Sequence, residues 1–281
     1  MQRYILTLRC PDQPGIVHAL AAGVAEAQGN ILESAQFSDP GTGVFTIRVS
    51  LETPEADTES LRDELTLRLA RFDPVLTVRP EEQRRRVLLM VSKFDHCLAD
   101  LLYRWDLGEL PVDIPLIVSN HPDLAPVAKR YGIPFVHFPV TRDTKPEAEA
   151  ELLRLVAEHR VDFVVLARYM QVLSDDLCGR LSGRIINIHH SFLPGFKGAK
   201  PYHQAHERGV KLIGATAHFV TADLDEGPII EQDVVRVGHR HTASELVAIG
   251  RDVERVVLAR AVRLHAEDRV VLTGSRTVVF S

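Results

Sequence analysis

From residue 87 onward the chain alternates short apolar runs with helical stretches, and that rhythm limits the available folds more than any other feature. Strand-like runs read at 87–91, 114–119, 135–138, 163–166 and 184–188, with helical periodicity between them at 96–105, 124–131, 146–159 and 175–181. Strands covered on both faces read as near-continuous apolar runs, and parallel neighbours need a crossover helix between them. The pattern predicts a doubly wound, mostly parallel α/β domain. Runs at 211–220 and 229–237 predict later strands with an antiparallel member, and a long helix over 242–265 closes the domain. Ligands of such sheets bind beyond the carboxyl ends of the strands, which gives weight to the residues that follow each run.

The first 80 residues keep a different rhythm. A strand over 2–10 is broken by Pro11-Asp12-Gln13-Pro14-Gly15. Ile16, Val17, Leu20, Ala21 and Val24 then recur at helical spacing over 16–28, until Gly29-Asn30. Strands at 31–38 and 44–51 flank Asp39-Pro40-Gly41-Thr42-Gly43, a hairpin signal. A helix over 57–72 and a strand over 75–79 complete a βαββαβ order, a ferredoxin-like sandwich. Residues 81–86 carry three arginines beside two glutamates and read as a solvated connector. The expected division is a small domain over 1–80, a linker over 81–86 and a larger α/β domain over 87–281.

Composition narrows the function classes. The chain has 281 residues, 45% hydrophobic and 25% charged, enough for two packed units. A formal net charge of −5 argues against broad nucleic-acid binding. No apolar run approaches about eighteen residues, so no membrane span is expected. The start Met1-Gln2-Arg3-Tyr4-Ile5-Leu6-Thr7 turns polar too soon for a secretory signal. Cys10, Cys97 and Cys178 are scattered, and they offer neither a disulfide framework nor a Cys-x-x-Cys zinc site. His203-x-x-His206 and His239-Arg240-His241 lack a companion cluster, so no metal is expected. These features predict a cytoplasmic protein.

Chemistry concentrates in two stretches. Ile185-Ile186-Asn187-Ile188-His189-His190-Ser191-Phe192-Leu193-Pro194 sets an amide and an imidazole at the end of an apolar strand. Gly214-Ala215-Thr216-Ala217-His218-Phe219-Val220 is followed by Asp223-Leu224-Asp225-Glu226-Gly227-Pro228. An amide that donates to a developing oxyanion, an imidazole that stabilises charge or shuttles a proton, and a carboxylate that orients the imidazole and a water suit one-carbon acyl transfer. Singly, each has an ordinary reading: Asn187 as a turn cap, His189 as a loop histidine, Asp225 as a turn residue.

Together, the Asn187-Ile188-His189 and Leu224-Asp225-Glu226-Gly227-Pro228 motifs resemble the formyltransferase superfamily that uses 10-formyltetrahydrofolate. Within it the chain looks like the deformylase branch, over nearly its whole length. The small domain, with Asp12, Gln13, Pro14, Gly15, Ile16 and Val17 in its first βα turn, resembles an ACT domain. The resemblance implies a Rossmann-like formyltransferase domain behind an ACT domain. It implies hydrolysis of 10-formyltetrahydrofolate to formate and tetrahydrofolate, supplying formate for purine biosynthesis and balancing one-carbon pools. The folate is then the substrate, with no prosthetic group. Asn187 would hydrogen-bond the formyl oxygen, His189 would stabilise the tetrahedral intermediate, and Asp225 would position the nucleophile and hold His189. His218 would buttress Asp225, or simply pack within its strand. Backbone groups of Met170, Gln171, Val172 and Leu173 would read the pteridine edge, with Asp223 and Leu224 as the other wall. ACT domains commonly bind amino acids at the first turn and pair between chains, which implies an amino-acid effector and a homo-oligomer. Gly15 is equally compatible with a turn that only lets the helix begin.

One departure from the family pattern matters. In glycinamide ribonucleotide formyltransferases the first βα turn is glycine-rich and grips phosphate. Here Ser92-Lys93-Phe94-Asp95 holds no glycine, which favours water over an amine acceptor. Cys97 starts an apolar helix and reads as packing, not as a nucleophile. Lys197 and Lys200 are placed where they could meet the folate glutamate tail, or be solvated loop residues. The alternative readings are a formyltransferase acting on an amine such as glycinamide ribonucleotide, and an amino-acid-binding regulator with a silent catalytic domain.

Overall fold

The structure, a computed structural model, describes residues 1–54, 57–195 and 201–281. The chain forms two compact units, one of Met1–Arg84 with Glu267–Ser281 and one of Arg85–Ala266. The Phe196-Lys197-Gly198-Ala199-Lys200 stretch, with both lysines singled out above, lies outside the described residues.

The first unit runs β1 (Gln2–Pro11), α1 (Ile16–Glu26), β2 (Asn30–Asp39), β3 (Val44–Thr53), α2 (Thr58–Leu69), a 3-10 turn at Ala70–Phe72 and β4 (Val75–Pro80). This is the expected βαββαβ order. The four strands pair antiparallel as β2-β3-β1-β4. Period-two alternation puts Tyr4, Leu6, Leu8 and Cys10 on one face of β1, where they meet Ile16, Leu20 and Val24 of α1 and Leu61, Leu65 and Leu69 of α2. Asp57 caps α2, accepting from the Glu59 amide at 3.1 Å.

The second unit continues with β5 (Arg85–Val91), α3 (His96–Asp106), β6 (Val112–Ser119), α4 (Ala125–Arg130), β7 (Phe135–His137), α5 (Lys145–Glu158) and β8 (Phe163–Leu166). It is completed by α6 (Asp175–Arg180), β9 (Ile185–His189), α7 (Pro201–Glu207), β10 (Leu212–Phe219), β11 (Ile229–Arg236) and α8 (Ala243–Ala266). Seven strands lie in the order β11-β10-β9-β8-β5-β6-β7. β5 to β9 are mutually parallel, and β10 runs antiparallel to both β9 and β11. The order reverses between β5 and β8, so the loops after these strands diverge there and open a crevice. One sheet face packs Leu88, Met90, Val164, Leu166 and Ile185 against Leu152, Leu155 and Val156 of α5 and Leu177 of α6. The other face receives α8, which packs on β9, β10 and β11.

The last fifteen residues depart from the expected division. They form a hairpin, β12 (Val270–Thr273) and β13 (Arg276–Val279), that belongs to the first unit and not to the catalytic one. The cause is charge pairing. Arg48, only 5% exposed, donates to the Glu267 carbonyl and to Glu33. Arg79 donates through Nε and Nη2 to Asp268 Oδ2 at 2.9 and 2.6 Å, and both side chains are nearly covered. Arg9 reaches the Leu272 carbonyl at 2.8 Å, and Arg276 reaches Asp39 at 2.9 Å. Removing one partner of a covered ion pair leaves the other charge desolvated and alone. Asp268→Ala is therefore expected to destabilise the first unit by about 3 kcal/mol, read as a lowered urea midpoint; an unchanged midpoint would contradict this anchoring.

Candidate active site

The alternation that buries β9 also builds the site. Ile185, Asn187 and His189 share one face of the strand, and Ile186 and Ile188 share the other. Ile185 lies in the apolar core under α5 and α6, so the same face turns from core to chemistry within two residues. Across the antiparallel pair His218 of β10 stands opposite Asn187, and Thr216 stands opposite His189. Asn187 Nδ2 lies 3.3 Å from His218 Nε2, and His218 Nδ1 lies 2.9 Å from the Phe219 carbonyl. The carbonyl can only accept, so Nδ1 carries a proton and Nε2 accepts from the Asn187 amide. Burial pushes the His218 pKa down, which keeps this neutral tautomer.

The loop after β10 returns Asp225 to His189. Asp225 Oδ1 lies 3.1 Å from His189 Nδ1, with the side chains 9% and 4% exposed. Burial works to raise the Asp225 carboxyl, but the hydrogen bond and charge of His189 outweigh it, and the group titrates below its ordinary value. Asp225 adopts φ 59°, left-handed backbone that costs most L-residues about 1 kcal/mol and that aspartate tolerates. Gly227 makes the approach possible: a Cβ there would stand 1.7 Å from the Phe219 carbonyl oxygen. The loop is then closed by the Phe219 amide, which donates to the Pro228 carbonyl at 2.9 Å. After His189 the chain is held as firmly. Thr216 Oγ1 donates to the Ser191 carbonyl and accepts from the Leu193 amide, and Gln232 donates to both Thr216 Oγ1 and the Leu193 carbonyl.

Asn187, His189, His218 and Asp225 line one cavity of about 260 Å³, together with Met170, Gln171, Val172, Leu173, Asp223 and Leu224. All the catalytic and folate-site candidates read from the sequence thus converge. Met170, Val172 and Leu224 stay 49–59% exposed at this cavity, apolar side chains of the kind a flat heteroaromatic ring would cover. One expectation needs refinement. The Met170 amide is already committed to Ser92 Oγ at 3.0 Å, so it is not free to read a ring edge. Ser92 in turn donates to Asn120 Oδ1 at 2.6 Å, tying the ends of β5, β6 and β8 together.

Beside the cavity lies a cluster not foreseen from the sequence. Glu254 of α8, 1% exposed, accepts from His96 Nε2 and from the Tyr202 hydroxyl, each at 2.8 Å, with Arg168 Nε at 3.5 Å. Burial works to raise its carboxyl, and the His96 hydrogen bond and Arg168 charge outweigh that and bring it below the ordinary carboxylate value. Tyr202 packs where Gly250 has no side chain: a Cβ there would stand 2.1 Å from the Tyr202 ring. His96, Cys97 and Glu254 offer donor atoms within 4.8 Å of one another. His96 and Glu254 are hydrogen-bonded to each other, and burial raises the Cys97 thiol well above its usual value, as befits a packed thiol. A sequence signal existed: on the stripe Leu246, Gly250, Glu254, Leu258 of α8, one charged residue interrupts helical spacing.

In the first unit, the sequence-predicted turn lies between β1 and α1. Asp12 accepts from the Ser38 hydroxyl, and its amide donates to the Gly43 carbonyl at 2.8 Å. Gly15 has φ 97° at the start of α1, Ile16 is buried, and Asp12, Gln13, Pro14 and Val17 are exposed.

Comparison with known proteins agrees with this architecture. Residues 85–262 match the formyl transferase family and residues 4–66 match the ACT domain. A formyltetrahydrofolate deformylase of Corynebacterium sp. (strain P-1) is 52% identical over 279 residues, 99% of this chain and 98% of that protein. The chain belongs to the formyltetrahydrofolate deformylase family. The crystal structure of a formyltetrahydrofolate deformylase from Burkholderia mallei superposes with a TM-score of 0.96 at 52% identity, covering both chains fully. Glycinamide ribonucleotide transformylase 1 from Symbiobacterium toebii is more distant: TM-score 0.65, 32% identity, covering 70% of this chain and 95% of that one.

Two outcomes follow from the geometry. Gly227→Ala is expected to displace the Asp225 loop and lower kcat/KM about 10²-fold or more, with the fold retained by circular dichroism; an unchanged kcat/KM would contradict the packing argument. The second concerns His190, which lines the same cavity. Burial and the nearby Arg168 charge push it from 6.5 down to about 3. The unfolded chain therefore binds a proton between these values that the folded chain refuses. The contribution of this group to stability is complete above its unfolded pKa and is lost as pH falls toward 3. Urea midpoints at pH 7 and pH 4 should differ less in His190→Gln than in the wild type; equal differences would contradict the burial assigned to it.

Proposed function

We propose that the protein hydrolyses 10-formyltetrahydrofolate to formate and tetrahydrofolate. The observation that carries this reading is the convergence of the buried His189–Asp225 pair and the Asn187–His218 pair on one cavity with an apolar rim. Water adds to the formyl carbon and the C–N bond breaks; one proton of the water passes to the nitrogen and the other is released to solvent as formate leaves.

The roles follow from the donors and acceptors. One Asn187 N–H is occupied by His218, and the second is available to the formyl oxygen as it becomes an oxyanion. His189 turns Nδ1 to Asp225 at 3.1 Å, and its ring stabilises the charge that develops on the tetrahedral intermediate. Asp225, ionised at neutral pH, holds that ring and orients the attacking water. The exposed Met170, Val172 and Leu224 side chains supply the walls for the pteridine, with Gln171, Leu173 and Asp223 beside them. Water rather than an amine is the acceptor. The turn after β5 places Phe94 where a phosphate would need bare backbone, with Arg168 and Arg251 stacked on its ring at 5.2 and 5.9 Å.

The ACT domain makes this an enzyme under amino-acid control. Asp12, Gln13, Pro14, Gly15, Ile16 and Val17 form the effector turn, and the active form is a homo-oligomer paired through that domain. The enzyme works in the cytoplasm, where it returns tetrahydrofolate to the one-carbon pool and formate to purine biosynthesis.

The test is formate release from 10-formyltetrahydrofolate by wild type and by Asp225→Asn. The substitution keeps the shape and removes the charge, so kcat is expected to fall by about 10²–10⁴-fold with no loss of folded protein. Wild-type turnover in a folded Asp225→Asn protein would sink the assignment.

A further inference from the structure

Arg168 follows β8 at the point where the strand order reverses, and it lines the cavity that holds Asn187, His189 and Asp225. Its backbone is left-handed, φ 65°, a conformation rarely kept by a long side chain without reason. The side chain is 9% exposed, and its buried Nε has no hydrogen-bond partner among the described residues. The nearest anion is Glu254, with Oε2 3.5 Å away, too far for a hydrogen bond. Both Glu254 oxygens are already engaged, one by His96 and the other by Tyr202. The Arg168 charge is thus balanced while its buried Nε–H is unused, and a guanidinium presents its donors in a planar fork that matches a carboxylate.

Formamide hydrolysis creates a carboxylate inside this same cavity. An anion born there unpaired is costly until it reaches water. We propose that Arg168 is the binding site for the newly formed formate, pairing with its carboxylate before it leaves. This rests on the hydrolase reading above. The folate glutamate also carries carboxylates, but they sit at the end of a long substituent, and a residue this covered favours a ligand of three heavy atoms. Glu254 sets the strength of the site: by sharing the Arg168 charge it holds formate weakly enough for turnover.

The test is titration of the full-length protein with 13C-formate at constant ionic strength, followed by NMR line broadening. A parallel titration uses p-aminobenzoylglutamate as the probe of folate-tail carboxylates. Arg168→Gln should weaken formate binding about tenfold or more, with Arg168→Lys between it and the wild type. Glu254→Gln should shift formate affinity the opposite way, several-fold tighter, because the competing carboxylate is gone. General structural damage does not tighten a ligand, so this second variant decides the matter even where Arg168→Gln folds poorly. Neither substitution should move p-aminobenzoylglutamate. The proposal is overturned by a wild type that binds no formate, by equal formate affinity in wild type and folded Arg168→Gln, by weaker binding in Glu254→Gln, or by p-aminobenzoylglutamate alone responding. Formate release from 10-formyltetrahydrofolate, measured on the same wild-type sample, reports on the hydrolase reading separately.

Discussion

The site depends on the register between β9 and β10. A strand's side chains alternate between its faces, so a slip of one residue would turn Asn187 and His189 away and send Ile186 and Ile188 into the cavity. The register that prevents this is held from both sides. Ile185 must enter the core beneath α5 and α6, and Thr216 must meet the carbonyl of Ser191 and the amide of Leu193. With that pairing in place, His218 falls opposite Asn187 without further provision.

Burial then sorts the titratable groups. Three histidines line one cavity and differ in what surrounds them. His189 faces a carboxylate, His218 faces a backbone carbonyl and an amide, and His190 faces the Arg168 charge. The last two are driven toward the neutral form, and the carboxylate of the first is held ionised. Asp225 and Arg168, both in left-handed backbone, line the same cavity.

Much of this was legible in the sequence. Asn187 and His189 alternate within an apolar run and the Asp225-Glu226-Gly227-Pro228 turn follows later in the chain; each has an ordinary reading alone, and the two became legible as one site only together, through the family they resemble. The βαββαβ order and the parallel sheet were readable from periodicity. What escaped depends on contacts between distant segments. Glu254 has its meaning only beside Arg168, His96 and Tyr202, which come from three other parts of the chain. The terminal hairpin, with its Gly274-Ser275 turn, looked like the end of the catalytic domain because its partners Arg9, Arg48 and Arg79 lie about two hundred residues or more earlier. Ser92 likewise reveals its role only through the Met170 amide.

The proposed reaction delivers water, and not an amine, to a formyl carbon. The direct measurement is turnover of 10-formyltetrahydrofolate in 18O-labelled water with no amine present, followed by mass analysis of the formate. The account predicts stoichiometric formate carrying one solvent oxygen. Unlabelled formate, or a formyl group that leaves the folate only when an amine is added, would contradict it.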